Sequence, residues 1–166
     1  MEGMGLLRIR VRRGIKLAIR DTVSSDPYVV ITHGDQRVRT SVVKNNCNPE
    51  WNEELTVYIS DPNIPINLTV YDKDTFTVDD KMGDAQIDIK PYLECLQWGL
   101  QNLPDGTKVD RVQPNAKNCL SDESCIIWNK GKMTQEMLLK LRNVESGELE
   151  IEIEWIDVQG LKAIRS

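Results

Sequence analysis

The chain has 166 residues, 40% hydrophobic and 28% charged, with a formal net charge of −5. That length builds one domain with a substantial core, and the composition excludes a disordered chain. No apolar run reaches membrane-spanning length and MEGMGLLRIRVRR has no signal-peptide core, so any membrane contact is expected to be peripheral.

The net charge hides an asymmetry. Residues 1–44 carry nine basic groups against four acidic ones, and the rest carry twelve against twenty-two. Such a distribution can orient a protein at an anionic surface, or it can be consumed by pairing within the fold. No nucleic-acid partner is expected. The four cysteines include no C-x-x-C pair, and His33 is the single histidine, so reduced thiols and no zinc site are expected.

In chain order the elements read as strands. Leu7, Ile9 and Val11 alternate with Arg8, Arg10 and Arg12, the period of a half-buried strand. Gly14 interrupts it, and Ile15 and Leu17 resume. Asp21 and Asp26 then flank a Thr-Val-Ser-Ser loop, and Pro27 restarts the chain in extended form. Tyr28 to Thr32 is a strand, HGDQ a turn, and RVRTSVV the returning strand. Asn48-Pro49 marks the next turn. Trp51, expected in the core, opens an alternating strand through Leu55, Val57 and Ile59. DPNIPIN is a connector.

Leu68 to Asp84, LTVYDKDTFTVDDKMGD, is the most informative stretch. It starts as a strand and runs into Asp72, Asp74, Asp79 and Asp80, with Asp84 just beyond Gly83. Carboxylates at this density repel one another unless something compensates them. A hard cation of the Ca²⁺ kind takes ~6–8 oxygen ligands and suits a flexible acidic loop. A solvated acidic turn is the plain alternative. An EF-hand is excluded because Phe76 and Thr77 stand where an oxygen ligand and glycine are needed, between strands rather than helices. A haloacid-dehalogenase nucleophile is excluded by Phe76 in place of threonine and by the lack of parallel βαβ units.

DAQIDI is the emerging strand. From Lys90 to about Asn129 the strand rhythm fails. Tyr92, Leu93, Leu96, Leu100 and Leu103 fall near helical spacing between Pro91 and Pro104, which predicts a short amphipathic helix with Trp98 buried. Residues 107–124 read as an irregular loop with one short strand near Val109–Val112. Strand rhythm returns at CIIW, at MLLKL and at GELEIEIEWI. The Glu face of that last strand matches the Arg face of the first, which predicts cross-strand pairing of Arg8, Arg10 and Arg12 with Glu150, Glu152 and Glu154. About eight strands without a long crossover helix predict an all-β antiparallel sandwich.

Three patterns now stand in order: R-D-x(4)-D-P-Y-V at 20–29, N-P-x-W-N-E at 48–53 and Y-D-x-D-x(5)-D-x-M-G at 71–83. Together they resemble a C2 domain, the calcium- and phospholipid-binding sandwich of protein kinase C and synaptotagmin. The closing GELEIEIEW resembles the variant whose N-terminal strand lies beside the C-terminal one. The segment at 90–129, with PNAKNCL, resembles the extra segment of plant single-domain C2 proteins related to abscisic acid signalling, also described as GTPase activators. The resemblance implies one C2 domain over 1–166 with an insertion at about 90–129. It implies Ca²⁺ held by Asp21, Asp26, Asp72, Asp74 and Asp80 with the carbonyls of Arg20 and Lys73. It implies anionic phospholipid and soluble abscisic acid receptors as partners, at the plasma membrane, in cytoplasm and in nucleus.

Beside these, Val23, Phe76 and Val78 are candidates to enter a membrane interface, although Phe76 folding back onto the sandwich is an equal reading. Arg37, Arg39 and Lys44 are candidates for a basic lipid-headgroup face or an ordinary solvated one. Lys108, Arg111 and Lys117 are expected on a partner-binding loop, or the whole segment is a packing lid. A calcium-switched adaptor without an active site is the leading reading. The alternative is an activator of an Obg-like GTPase/ATPase, with an arginine such as Arg111 as its finger. One histidine, no nucleophile elbow and no phosphate loop argue against an enzyme.

Overall fold

The computed structural model describes residues 5–20 and 24–157. Among these, ten strands and one helix follow the order β1 (Gly5–Ile15), β2 (Pro27–His33), β3 (Gln36–Arg39), β4 (Glu50–Ile59), β5 (Ile66–Asp72), β6 (Asp80–Ile87), α1 (Lys90–Gln97), β7 (Thr107–Val112), β8 (Ser124–Asn129), β9 (Lys132–Lys140) and β10 (Glu148–Asp157). They form a six-stranded sheet, β4-β1-β10-β9-β8-β7, and a four-stranded sheet, β3-β2-β5-β6. The expected antiparallel sandwich is present, and β1 lies beside β10. Outside 90–129 there are eight strands; β7 and β8 add two more.

Period-two patterning produces the core. Leu7, Ile9 and Val11 of β1, Ile151 and Ile153 of β10, and Leu68 and Val70 of β5 are all fully buried. Trp51 is buried as expected and donates its indole N–H to the Pro27 carbonyl at 3.3 Å. A side chain of β3 also joins the two sheets at the β4 edge. Gln36 donates Nε2–H to the Tyr58 carbonyl and accepts from the Tyr58 N–H, both at 2.7 Å. The carboxamide thus behaves as a peptide unit and occupies part of the β4 edge.

The outer face of the six-stranded sheet carries the expected charge ladder, with one change. Arg8 reaches Glu154 at 3.0 Å, Arg12 reaches Glu152 at 2.7 Å and Arg13 reaches Glu150 at 2.6 Å. Arg10 instead pairs with Glu54 of β4. A bulge between Val11 and Arg13 inserts one residue into β1, so Arg13 rather than Arg12 stands opposite Glu150.

The helix is shorter than its spacing predicts, and Trp98 is 55% exposed rather than buried. The physical reason is where the helix stops: α1 ends at Gln97, so Trp98 caps it instead of continuing its buried face. Tyr92, Leu93 and Cys95 supply the buried face. Tyr92 donates its hydroxyl to the Met133 carbonyl at 2.6 Å and accepts the Trp155 N–H at 2.8 Å. It therefore satisfies the backbone where the β9–β10 ladder ends at Glu154 and Thr134. Burial pushes this phenol far above its ordinary value.

The short strand expected near Val109–Val112 is present as β7, and it places Lys108 and Arg111 on a strand rather than on the expected partner-binding loop. β7 is an edge strand that pairs with β8, and Lys108, Arg111 and Lys117 are all exposed. Lys117 sits in a turn closed by Asn115 and the buried Asn118, whose Nδ2–H reaches the Gln113 carbonyl at 2.9 Å.

Candidate functional site

The carboxylates gather where the four-stranded sheet ends. Pro27 opens β2 opposite Asp72, and Asp72 stands opposite Asp80 across the β5–β6 ladder. Asp26, Asp72 and Asp80 are therefore brought to one sheet end by register. Asp26 donates its N–H to Asp72 Oδ1 at 2.8 Å, and its own Oδ1 accepts the Asn45 N–H at 2.7 Å. The Asp26 carbonyl accepts from the Lys73 N–H at 2.9 Å, which ties the first loop to the β5–β6 loop. Asp72 is only 3% exposed, whereas Asp80 is exposed. Like charges directly opposite on a ladder are destabilising.

The other loop carboxylates are engaged locally. Asp74 Oδ1 accepts from the Phe76 and Thr77 N–H groups at 3.0 and 3.3 Å, and Oδ2 accepts the Thr77 hydroxyl at 2.7 Å. These bonds, the Thr77 hydroxyl foremost, hold its carboxyl below the usual value. Asp79 accepts the Asp74 N–H at 2.8 Å and the Tyr28 hydroxyl, and it stands 3.8 Å from Lys73 Nζ. The Asp74 N–H, the Tyr28 hydroxyl and then Lys73 lower Asp79 in turn. Burial, with Asp79 second, pushes the Tyr28 phenol up to about 12. Asp79 thus orders the loop.

Among the described residues, no group of three or more His, Cys, Asp or Glu is assembled to hold a metal ion. Asp21 and Val23 lie outside the described residues. The donor chemistry nevertheless fits a hard cation: a buried carboxylate faces a second one, a third adjoins them, and all offer oxygen. Asp26, Asp72 and Asp80 would hold the ion, with Asp74 of the same loop, whose carboxylate keeps spare lone pairs beside its turn.

The rim of this end is apolar at its tips. Phe76 is 94% exposed and Val78 is 87% exposed, so Phe76 does not fold back onto the sandwich. Ile19, which sequence reasoning misses, is 55% exposed on the neighbouring loop. Its alternation with the resumed strand gives it the pattern of an internal residue. Arg37 and Arg39 are exposed on β3, and Lys44 is exposed in the following turn. Arg39 lies 4.8 Å over the Tyr28 ring, which stacks on Tyr71 at 5.5 Å between centroids. Guanidinium, ring and Asp79 therefore form one connected row from the β3 face to the acidic loop. Among the described residues, no helix is long and apolar enough to cross a membrane.

The sandwich and its acidic loop end define a C2 domain, and the family model described as "C2 domain" matches residues 5–120. The fold is shared with a solved C2 domain of plant Extended Synaptotagmin 1 (TM-score 0.62, 22% identity, 95% of this chain and 98% of that one). It is shared with the calcium-bound tandem C2 domains of Extended Synaptotagmin 2 (TM-score 0.63, 22% identity, 98% of this chain and 51% of that one). Among Arabidopsis thaliana proteins, C2-DOMAIN ABA-RELATED 10 is 60% identical over 98% of this chain and 92% of its own length. C2-DOMAIN ABA-RELATED 6 is 58% identical over 96% and 91%. The chain belongs to the family of C2-domain ABA-related proteins.

Proposed function

We propose that this protein is a calcium-dependent phospholipid-binding adaptor that brings abscisic acid receptors to the plasma membrane. The observation that carries the reading is the buried Asp72 facing Asp80 beside Asp26, at the same end as the exposed Phe76 and Val78. Membership of a family named for abscisic acid supports the signalling context. Bound Ca²⁺ would supply positive charge at an acidic rim, attractive to phosphatidylserine. Asp26, Asp72 and Asp80 would hold it, with Asp21, Asp74 and the carbonyls of Arg20 and Lys73 completing the set. Phe76, Val78 and Val23 would enter the interface, and Arg37, Arg39 and Lys44 would face headgroups from the side.

The chain would act as one C2 domain across 1–166, with 90–129 as the inserted partner surface. Lys108, Arg111 and Lys117 are exposed on that segment. An activator of a nucleotide hydrolase needs an arginine that can reach into another site. Arg111 is exposed on the edge strand β7, opposite Cys125, and is the candidate finger of that second reading.

Co-sedimentation with phosphatidylserine vesicles tests the reading. Binding is expected with calcium and not with EGTA, and Asp26→Ala with Asp80→Ala is expected to abolish it while leaving a folded protein. Equal sedimentation in EGTA refutes the switch. Charge reversal at Lys108, Arg111 and Lys117 is expected to spare vesicle binding and lose receptor recruitment; retained recruitment places the partner surface elsewhere.

A further inference from the structure

The end of the sandwich remote from the acidic loop carries a cleft that the calcium reading does not use. In the β5–β6 ladder Ile66 stands opposite Ile87, six residues along β5 from the Asp72–Asp80 pair, so about 20 Å of strand separates the two ends. A molecule that meets a membrane through Phe76 and Val78 holds this end away from the lipid, which favours a protein as the occupant.

Three segments surround a space of about 220 Å³ there. The β4–β5 connector supplies Ile64 and Pro65, the end of β6 and the start of α1 supply Ile87, Ile89 and Lys90, and the insertion supplies Lys117. Each segment is fixed by its own hydrogen bonds. Asn63 donates its N–H to Asp61 Oδ1 at 2.9 Å, and Ile64 donates its N–H to the Asp61 carbonyl at 3.2 Å, which closes the connector as a turn. The Lys90 N–H donates to Asp88 Oδ1 at 3.1 Å. Asn115 Oδ1 accepts the Lys117 and Asn118 N–H groups at 2.8 and 2.9 Å, and the buried Asn118 anchors that turn. The walls are thus preformed, and an occupant does not have to order them.

The lining is apolar below and cationic at the rim. Isoleucine and proline make up six of the eleven lining residues, so the floor favours an apolar group over water. Lys90 and Lys117 are exposed, and among the described residues neither ammonium is in an ion pair. Whole small ligands typically occupy ~300–1,000 Å³, so about 220 Å³ suits one large side chain presented by a longer chain.

We propose that this cleft docks an extended segment of a partner protein in which a large apolar side chain is flanked by carboxylates. The apolar group enters between Ile64 and the Ile87–Ile89 wall, and the carboxylates meet Lys90 and Lys117. The inference rests on the adaptor reading given above and deepens it, by extending the partner surface from the insertion onto the sandwich end and by stating the chemistry of what binds there.

Selection of a phage-displayed library of random heptapeptides on the full chain in EGTA, counter-selected on Ile64→Glu, provides the test. Peptides kept by wild type and lost by Ile64→Glu are expected to share a large apolar residue flanked by Asp or Glu. The most enriched peptide, titrated by fluorescence anisotropy, is expected to bind Lys90→Glu with Lys117→Glu at least about fivefold more weakly than wild type, because two exposed ion pairs become repulsive. Melting in EGTA separates lost binding from misfolding. Where a glutamate variant melts lower, Ile64→Ser and Lys90→Gln with Lys117→Gln replace it, with a smaller loss expected in the same direction. No discriminated peptides, a discriminated set without acidic residues, or equal affinity in the lysine variant overturns the inference. Self-association of wild type in EGTA that Phe76→Ser and Ile64→Glu each abolish also overturns it, since the occupant is then a second copy. In the recruitment assay above, Ile64→Glu is expected to lose the receptor and keep calcium-dependent vesicle binding. Recruitment lost on charge reversal at Lys108, Arg111 and Lys117 but retained in Ile64→Glu overturns the inference alone; recruitment retained in both overturns the partner reading with it.

Discussion

Replacing Tyr92 by Phe removes one oxygen and tests whether α1 is part of the sandwich or merely laid upon it. The Tyr92 hydroxyl is the partner of two backbone groups, the Met133 carbonyl and the Trp155 N–H. Tyr92 is buried at a point where the β9–β10 ladder has stopped, so water does not readily replace the lost bonds. A buried polar group left unpaired costs about 1–3 kcal/mol. With Trp155 half-buried, the lower part of that range applies to its N–H. The sum is about 3 kcal/mol, which for a domain of this size lowers Tm by about 6–12 °C. Urea unfolding in EGTA, followed by tryptophan fluorescence, measures it. Trp98→Ala serves as the contrast, because that ring is exposed and its removal is expected to cost no more than about 0.5 kcal/mol. A Tyr92→Phe protein within about 0.5 kcal/mol of wild type refutes the argument, since the two backbone groups would then have found other partners.

Three further outcomes are expected. Phe76→Ala is expected to weaken binding to anionic vesicles by about ten- to a hundredfold and to leave calcium affinity in solution unchanged, on the scale of about 1.5–3 kcal/mol for a fully transferred large apolar side chain; vesicle affinity equal to wild type removes the insertion claim. Arg37→Ala with Arg39→Ala is expected to reduce phosphoinositide binding at low salt by roughly 1 kcal/mol per charge, and titration against phosphoinositide vesicles that shows no change makes this face ordinary surface. Glu145 is lowered from 4.5 to about 2, chiefly by its hydrogen bond from Arg20. A depressed carboxyl contributes stability in full above its unfolded value and loses it as pH falls through the folded one. The urea midpoint in EGTA is thus expected to fall between pH 4.5 and about 2 less steeply in Glu145→Gln than in wild type; parallel curves contradict the assignment.

Strand identity in this chain is a local property and is legible as such. Alternation in Leu7–Val11 and in Leu149–Trp155 depends only on which side chains face the core, and both strands form as read. The acidic loop is legible for the same reason, because its carboxylates are close in sequence. Partner choice is not local. A single bulge after Val11 sends Arg13, not Arg12, to Glu150, and β4 on the other side of β1 draws Arg10 to Glu54. Where a short helix stops depends on what it packs against, so spacing alone places Trp98 inside whereas the sandwich leaves it out. The opposition of Asp72 and Asp80 arises from the register of β5 and β6, which the intervening loop does not reveal. Glu145 carries no signal at all in the sequence. It lies 125 residues from Arg20, and only the Asp84–Arg142 bridge and the space at Gly83 bring the two side chains into contact. Periodicity and composition declare which residues must be buried or charged; long-range pairing, which no local pattern encodes, decides which charge meets which.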